Sequence, residues 1–223
     1  MAGSIAHERS CGSYDGRVAA TKEASADKGP AEGRGSRGTG EARATREAIL
    51  DRAVDVASAE GLEGLTIGRL AADLEMSKSG LFGHFGSKQE LQLATIDEAS
   101  RRFVRQVIEP ALEMEEGASR LRALCDHYLG YLERRVFPGG CFFAAAAIEF
   151  DGKPGPVRER VRDGVAAWLG ELERQAAIAG VEDPKLLAFE LQALAQGANS
   201  TFQLFGDPDT FRRARAAIDS LLP

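Results

Sequence analysis

The sequence predicts an all-α fold of about nine helices, and three observations carry that reading. Apolar residues recur at helical spacing almost continuously from Thr45 to the C-terminus. Breakers divide that stretch cleanly: Pro138-Gly139-Gly140, the run from Asp151 through Pro154 to Gly155, Gly180, and Gly206-Asp207-Pro208. Nowhere does a Val/Ile/Thr-rich alternating run appear with a hairpin signal. With 223 residues, 43% of them hydrophobic and 28% charged, the chain can bury a sizeable core. No internal repeat is visible.

Residues 1–44 are rich in Gly, Ala, Ser and Thr and almost free of large apolar side chains. Such a segment buries too little to offset the entropy of ordering, so it is expected to be a disordered tail. Its last third carries Arg34, Arg37 and Arg43, which suits either a solvated tail or an arm touching DNA. Thr45 is expected to cap the first helix, with Ile49, Leu50, Ala53, Val56 and Ala57 on one stripe and Gly61 as its stop. Thr66 caps a short second helix whose stripe is Ile67, Leu70, Ala71 and Leu74. A tight turn at Leu74-Glu75-Met76 precedes a third, from Ser77 to Phe85, with Leu81 and Phe85 inward. Ser87 and Glu90 have capping-box spacing for a longer helix that starts near Lys88 and passes Phe103. Further helices are expected near 117–135, 141–150, 155–179, 184–205 and 209–222. The divisions are a tail over 1–44, a three-helix unit over 45–92 and a larger helical body over 93–223.

Composition narrows the function classes. A net charge of −6 excludes a basic coat over the whole surface. A local basic patch survives, because Ser77 to Lys88 holds Lys78, His84 and Lys88 and no acid. The acids Glu47, Asp51, Asp55, Glu60, Glu63 and Asp73 come earlier and are expected to face away from that patch. Cys11, Cys125 and Cys141 have no metal-ligand spacing with each other or with His7, His84 and His127, so neither metal nor cofactor is expected. Cys125 and His127 stand two apart on a helix, which points them to different faces and rules out a nucleophile–base pair. With no Gly-rich phosphate loop, H-E-x-x-H or G-x-S-x-G, an enzyme is not expected. No apolar run is long enough for a membrane helix, and the first residues lack a signal-peptide core, so a soluble protein of the reducing cytoplasm is expected.

Two short helices joined by a three-residue turn make a helix-turn-helix, whose second helix enters the major groove while the first crosses the backbone. Ser79, Gly80 and Gly83 would let that second helix approach bases and phosphates closely. Lys88, at the start of the next helix, lies where backbone N–H groups already favour a phosphate. The stretch S-K-S-G-L-F-G-H-F-G-S-K-Q-E-L over 77–91 resembles the DNA-binding domain of TetR-family transcriptional regulators. The resemblance implies that Thr66, Ser77, Lys78, His84 and Lys88 contact phosphates, and that Ser79, Gly80 and Gly83 face bases or the groove. The chain departs from the family's pattern at Phe82, where Tyr is usual, and so loses a hydroxyl at a phosphate-contacting position. Gly83 replaces a larger base-reading side chain, which shifts readout toward DNA shape. Glu75 stands where Gly is common.

For the body, the resemblance implies a dimer through the last two helices and a pocket for a small-molecule effector between the middle ones. Leu191, Ala195, Ala198 and Phe202, then Phe211, Ala214 and Ile218, fall at helical spacing and could form the dimer interface or the protomer's own core. Candidate pocket residues are Phe103, Leu124, Tyr128, Tyr131, Phe142, Phe143, Phe150 and Trp168. Glu149 and Asp151, ending a very apolar helix, could orient a ligand or cap a neighbouring helix. The expected protein is a ligand-responsive regulator that binds a palindromic operator as a homodimer and represses by simple promoter occupancy. Two alternatives stand beside it: a redox-responsive regulator acting through Cys141, which follows two glycines at a helix start, and an all-α interaction protein without DNA binding.

Overall fold

The computed structural model describes residues 35–223. Residues 1–34, with most of the expected tail and Arg34, lie outside the described residues. The described chain is helical throughout: α1 Gly35–Glu60, α2 Ile67–Asp73, α3 Lys78–Phe85 and α4 Lys88–Phe103 come first. A π-helical turn, Val104–Ile108, and the short α5, Glu109–Ala111, continue α4 without a break. Then follow α6 Ala118–Glu133, α7 Phe142–Phe150, α8 Pro156–Ile178, α9 Pro184–Phe205 and α10 Asp209–Leu221. Counting the α4–α5 run as one rod, these are the nine helices expected.

The first helix starts ten residues before the expected Thr45. Thr45 is an interior residue whose hydroxyl donates to the Glu41 carbonyl at 2.8 Å. Ala, Glu and Arg over 41–47 favour helix, and Arg43 meets Glu47 one turn on at 2.9 Å, so nothing stops α1 at Thr45. The expected start of the first helix at Thr45 is therefore corrected to Gly35. The next caps form as predicted. Thr66 Oγ1 accepts the Arg69 N–H, Ser77 Oγ the Gly80 N–H and Ser87 Oγ the Glu90 N–H. The capping box at Ser87 is half made, because the Ser87 N–H donates to the Phe85 carbonyl at 2.8 Å.

Two layers of contact join the N-terminal unit to the body. α1 lies along α4, with Ile49, Ala53, Val54, Val56, Leu91 and Ile96 buried. Arg102 of α4 reaches Asp55 at 2.7 Å and Asp51 at 3.2 Å, with its guanidinium over the Phe137 ring. The loop after α6 then presses on the end of α1. At Gly139 a Cβ would lie 1.7 Å from the Ser58 carbonyl oxygen, so only glycine fits there.

α8, α9 and α10 complete the body, and here the expected dimer face is corrected. Leu191, Ala195, Ala198, Phe211, Ala214 and Ile218 are all buried inside the protomer. Phe202 is half-buried, its ring 4.9 Å from that of Phe211. A stripe of large and small apolar residues at helical period was legible, but it is buried within the protomer, where α9 packs on both α8 and α10. α9 also carries a second, outward stripe: Leu186, Phe189, Ala193, Gly197 and Leu204, all exposed.

Candidate nucleic-acid interface

α2 and α3 pack against each other, and the Lys78 side chain lies beside Gly68, 3.5 Å from where a Cβ would be. Leu81 and Phe85 anchor α3 inward, which leaves Ser77, Lys78, Ser79, Gly80, Phe82 and Gly83 exposed on its outer face. Phe82 is 51% exposed, a cost that an isolated monomer gains nothing for. A Cβ at Gly83 would meet nothing within 4 Å, so the outer face of α3 is open there. His84 is half-buried, its ring tilted against Phe85. Thr66 is exposed, and its capping role leaves the hydroxyl proton free to donate outward.

Most of the acids that precede the patch are held by arginines. Asp73 is bridged by Arg52 and Arg69, Glu60 by Arg69, and Asp51 and Asp55 by Arg102. Glu63, however, does not face away. Its carbonyl and carboxylate both take the Lys88 ammonium, at 2.7 and 3.0 Å. The hydrogen bond from Lys88 holds the Glu63 carboxyl below its ordinary range. A further cation went unnoticed in the sequence: Arg46 of α1 lies over the Phe85 ring at 5.0 Å, beside the end of α3. No linear pattern relates positions so far apart.

A cleft of about 1800 Å³ opens in the body between α4, α6, α7, α8 and α9, and reaches rim residues of α1. Of the candidate pocket residues, Phe103, Tyr128, Phe143 and Trp168 line it. Leu124, Tyr131, Phe142 and Phe150 do not line it; they are buried in the surrounding core, Tyr131 between the rings of Phe103 and Phe137. From α9, Gln192, Gln196, Asn199 and Gln203 contribute part of the cleft's polar lining, beside charged residues such as Arg160, Glu171 and Arg174 of α8. The α9 spacing is a polar stripe on an apolar helix, a signal the sequence held and the apolar stripe overshadowed. Gln192 accepts the Trp168 indole N–H at 2.8 Å, and Gln196 donates to the Tyr128 hydroxyl. That hydroxyl in turn donates to Cys141 Sγ at 3.3 Å. Cys141 and Cys125 are both buried. Glu149 neither lines the cleft nor caps a helix: it accepts the N–H groups of Leu62 and Glu63 in the α1–α2 loop. Asp151 is exposed.

Residues 49–95 match the family model for bacterial regulatory proteins of the tetR family, and residues 117–218 match that for tetracyclin repressor-like C-terminal domains. A TetR transcriptional regulator from Chloroflexus aurantiacus superposes with a TM-score of 0.70 at 26% identity, covering 81% of this chain and 94% of that one. A TetR-family regulator from Streptomyces coelicolor gives 0.70 at 27%, over 83% and 90%. The chain belongs to the TetR family. Among curated relatives, the nucleoid occlusion factor SlmA of Sodalis glossinidius is 27% identical over 167 residues, 72% of this chain and 83% of that protein. Membership makes this chain a DNA-binding transcriptional regulator with its helix-turn-helix in α2 and α3. In this chain the helix-turn-helix carries an exposed Phe82, a bare Gly83 and, just beyond it, the pairing of Lys88 with Glu63. Among the described residues no helix is long and apolar enough to cross a membrane, and no group of His, Cys, Asp or Glu could hold a metal ion.

Proposed function

We propose that this chain is a homodimeric, ligand-responsive repressor that reads a two-fold symmetric operator and works in the cytoplasm without catalysing a reaction. The observation that carries it is the acid-free outer face of α3, set in one domain while a large aromatic cleft lies in the other. Ser77, Lys78, Thr66 and His84 contact phosphates; Ser79, Gly80 and Gly83 lie along the bases, with Phe82 packing apolar surface into the groove. One recognition helix reads few base pairs, and two-fold symmetry doubles the contacts. The dimer forms through the outward stripe of α9, where Ala193 and Gly197 let two helices approach between Phe189 and Leu204.

The effector enters the cleft against Phe103, Tyr128, Phe143 and Trp168, and the α9 amides orient it. Trp168 is the chain's single tryptophan, so binding there alters its fluorescence directly. The test of DNA recognition is Lys78→Gln. Each lost phosphate contact weakens binding across all sequences and shallows the salt slope by about 0.9 per protomer. A helical interaction protein without DNA binding would show no such change.

A further inference from the structure

Lys88 stands in the first turn of α4, where a DNA phosphate is expected, yet its ammonium is already taken by the Glu63 carbonyl at 2.7 Å and carboxylate at 3.0 Å. Glu63 does not hold that position alone. From α7, Glu149 Oε2 accepts the Leu62 N–H and Oε1 the Glu63 N–H, both at 2.7 Å. Gly61 packs against the same carboxylate, 3.0 Å from where its Cβ would be. Gln92 of α4 donates to the Leu62 carbonyl at 2.9 Å, and Lys153, just past α7, approaches Glu63 at 3.9 Å. The strengths are graded. Two short N–H bonds to one carboxylate are strong, whereas the Lys88–Glu63 pair is about half exposed and weak. The holder is firm and the held contact is easily exchanged.

α7 is also a wall of the cleft, through Phe143, Ala147 and Ile148. Phe143 packs so closely on α8 that a Cβ at Gly164 would lie 2.7 Å from its ring. A molecule in the cleft therefore meets the helix that places the 61–63 loop. We propose that Glu149 is a positioning residue for DNA binding: it sets the loop so that Glu63 holds Lys88 back from phosphate, and a shift of α7 resets that latch. The proposal rests on the DNA-binding reading above. While the latch holds, Lys88 neutralises no phosphate, so each protomer releases one DNA counterion fewer than it would with a free lysine.

The experiment measures binding to a mixed-sequence duplex as a function of salt. Glu63→Gln is expected to tighten binding about two- to fivefold per protomer, from the usual strength of an exposed ion pair. The salt slope should steepen by about 0.9 per protomer. Glu149→Gln, which can accept only one of the two N–H groups well, shifts both readouts the same way. Combined with Glu63→Gln it adds nothing, because it acts through Glu63. Lys88→Gln cancels the gain in either background. Unchanged affinity and slope in Glu63→Gln overturn the latch, as does a Glu149→Gln gain that persists in full beside Glu63→Gln. Should Glu149→Gln fail to fold by circular dichroism, Glu63→Gln with and without Lys88→Gln decides the matter. If folded wild type binds no duplex, the DNA reading falls and the latch with it. If Lys78→Gln weakens binding and Glu63→Gln changes nothing, the latch alone falls.

Discussion

At Glu75, as at Arg135, local chemistry and fold disagree. Glu75 adopts φ 53°, a left-handed conformation, at the end of α2. The turn is a Schellman motif: the Glu75 N–H donates to the Ala72 carbonyl and the Met76 N–H to the Ala71 carbonyl. A side chain there costs about 1 kcal/mol. Glu75→Gly should therefore raise stability by about that amount in urea denaturation, with DNA affinity unchanged. Burial pushes the Cys125 thiol up to about 12. In the native protein it should resist iodoacetamide at pH 9 and react only after unfolding. The unfolded thiol ionises near its ordinary value while the native one stays protonated, so this group's contribution is whole below pH 8 and declines as pH rises toward 12. Caps such as Thr66, Ser77 and Ser87 were legible in the sequence because donor and acceptor lie three residues apart. The Lys88–Glu63 pair was not, since 25 residues and two helices separate its partners.

Helices raise a different problem, seen best in α9. Its sequence has two apolar stripes of the same period, and periodicity cannot say which one faces inward. Leu191 and Ala195 are buried in the core; Phe189 and Leu204 face out. The two should separate by experiment. Leu191→Ala leaves a cavity and should cost about 2–5 kcal/mol of stability. Phe189→Asp places a charge on the outward stripe and should shift the protein to monomer in sedimentation while each protomer stays folded. The reverse outcome, a stable monomer from Leu191→Ala, would return the interface to the inward stripe. Gly139→Ala, by contrast, should be severely destabilising, because the Ser58 carbonyl occupies the space. The glycine pair before α7 reads in sequence only as a breaker; its second role as a contact between the loop and α1 needs the fold.

At the scale of the whole molecule, the two-domain plan was legible from helix count, breakers and the short-helix cluster. What joins the domains was not, since Arg102 with Asp55, Glu149 with the 61–63 loop, and Gly139 with Ser58 are all long-range. These contacts make the placement of α3 depend on α4 and α7, both walls of the cleft. Differential affinity of a ligand for two such arrangements is what would couple cleft to groove. The central claim is that the open face of α3 reads DNA as a symmetric pair. The most direct measurement is selection of bound duplexes from a random-sequence pool at physiological salt. The account predicts enrichment of a two-fold symmetric site that survives that salt. Enrichment of nothing, with all binding lost as salt rises, would contradict it and leave only phosphate attraction.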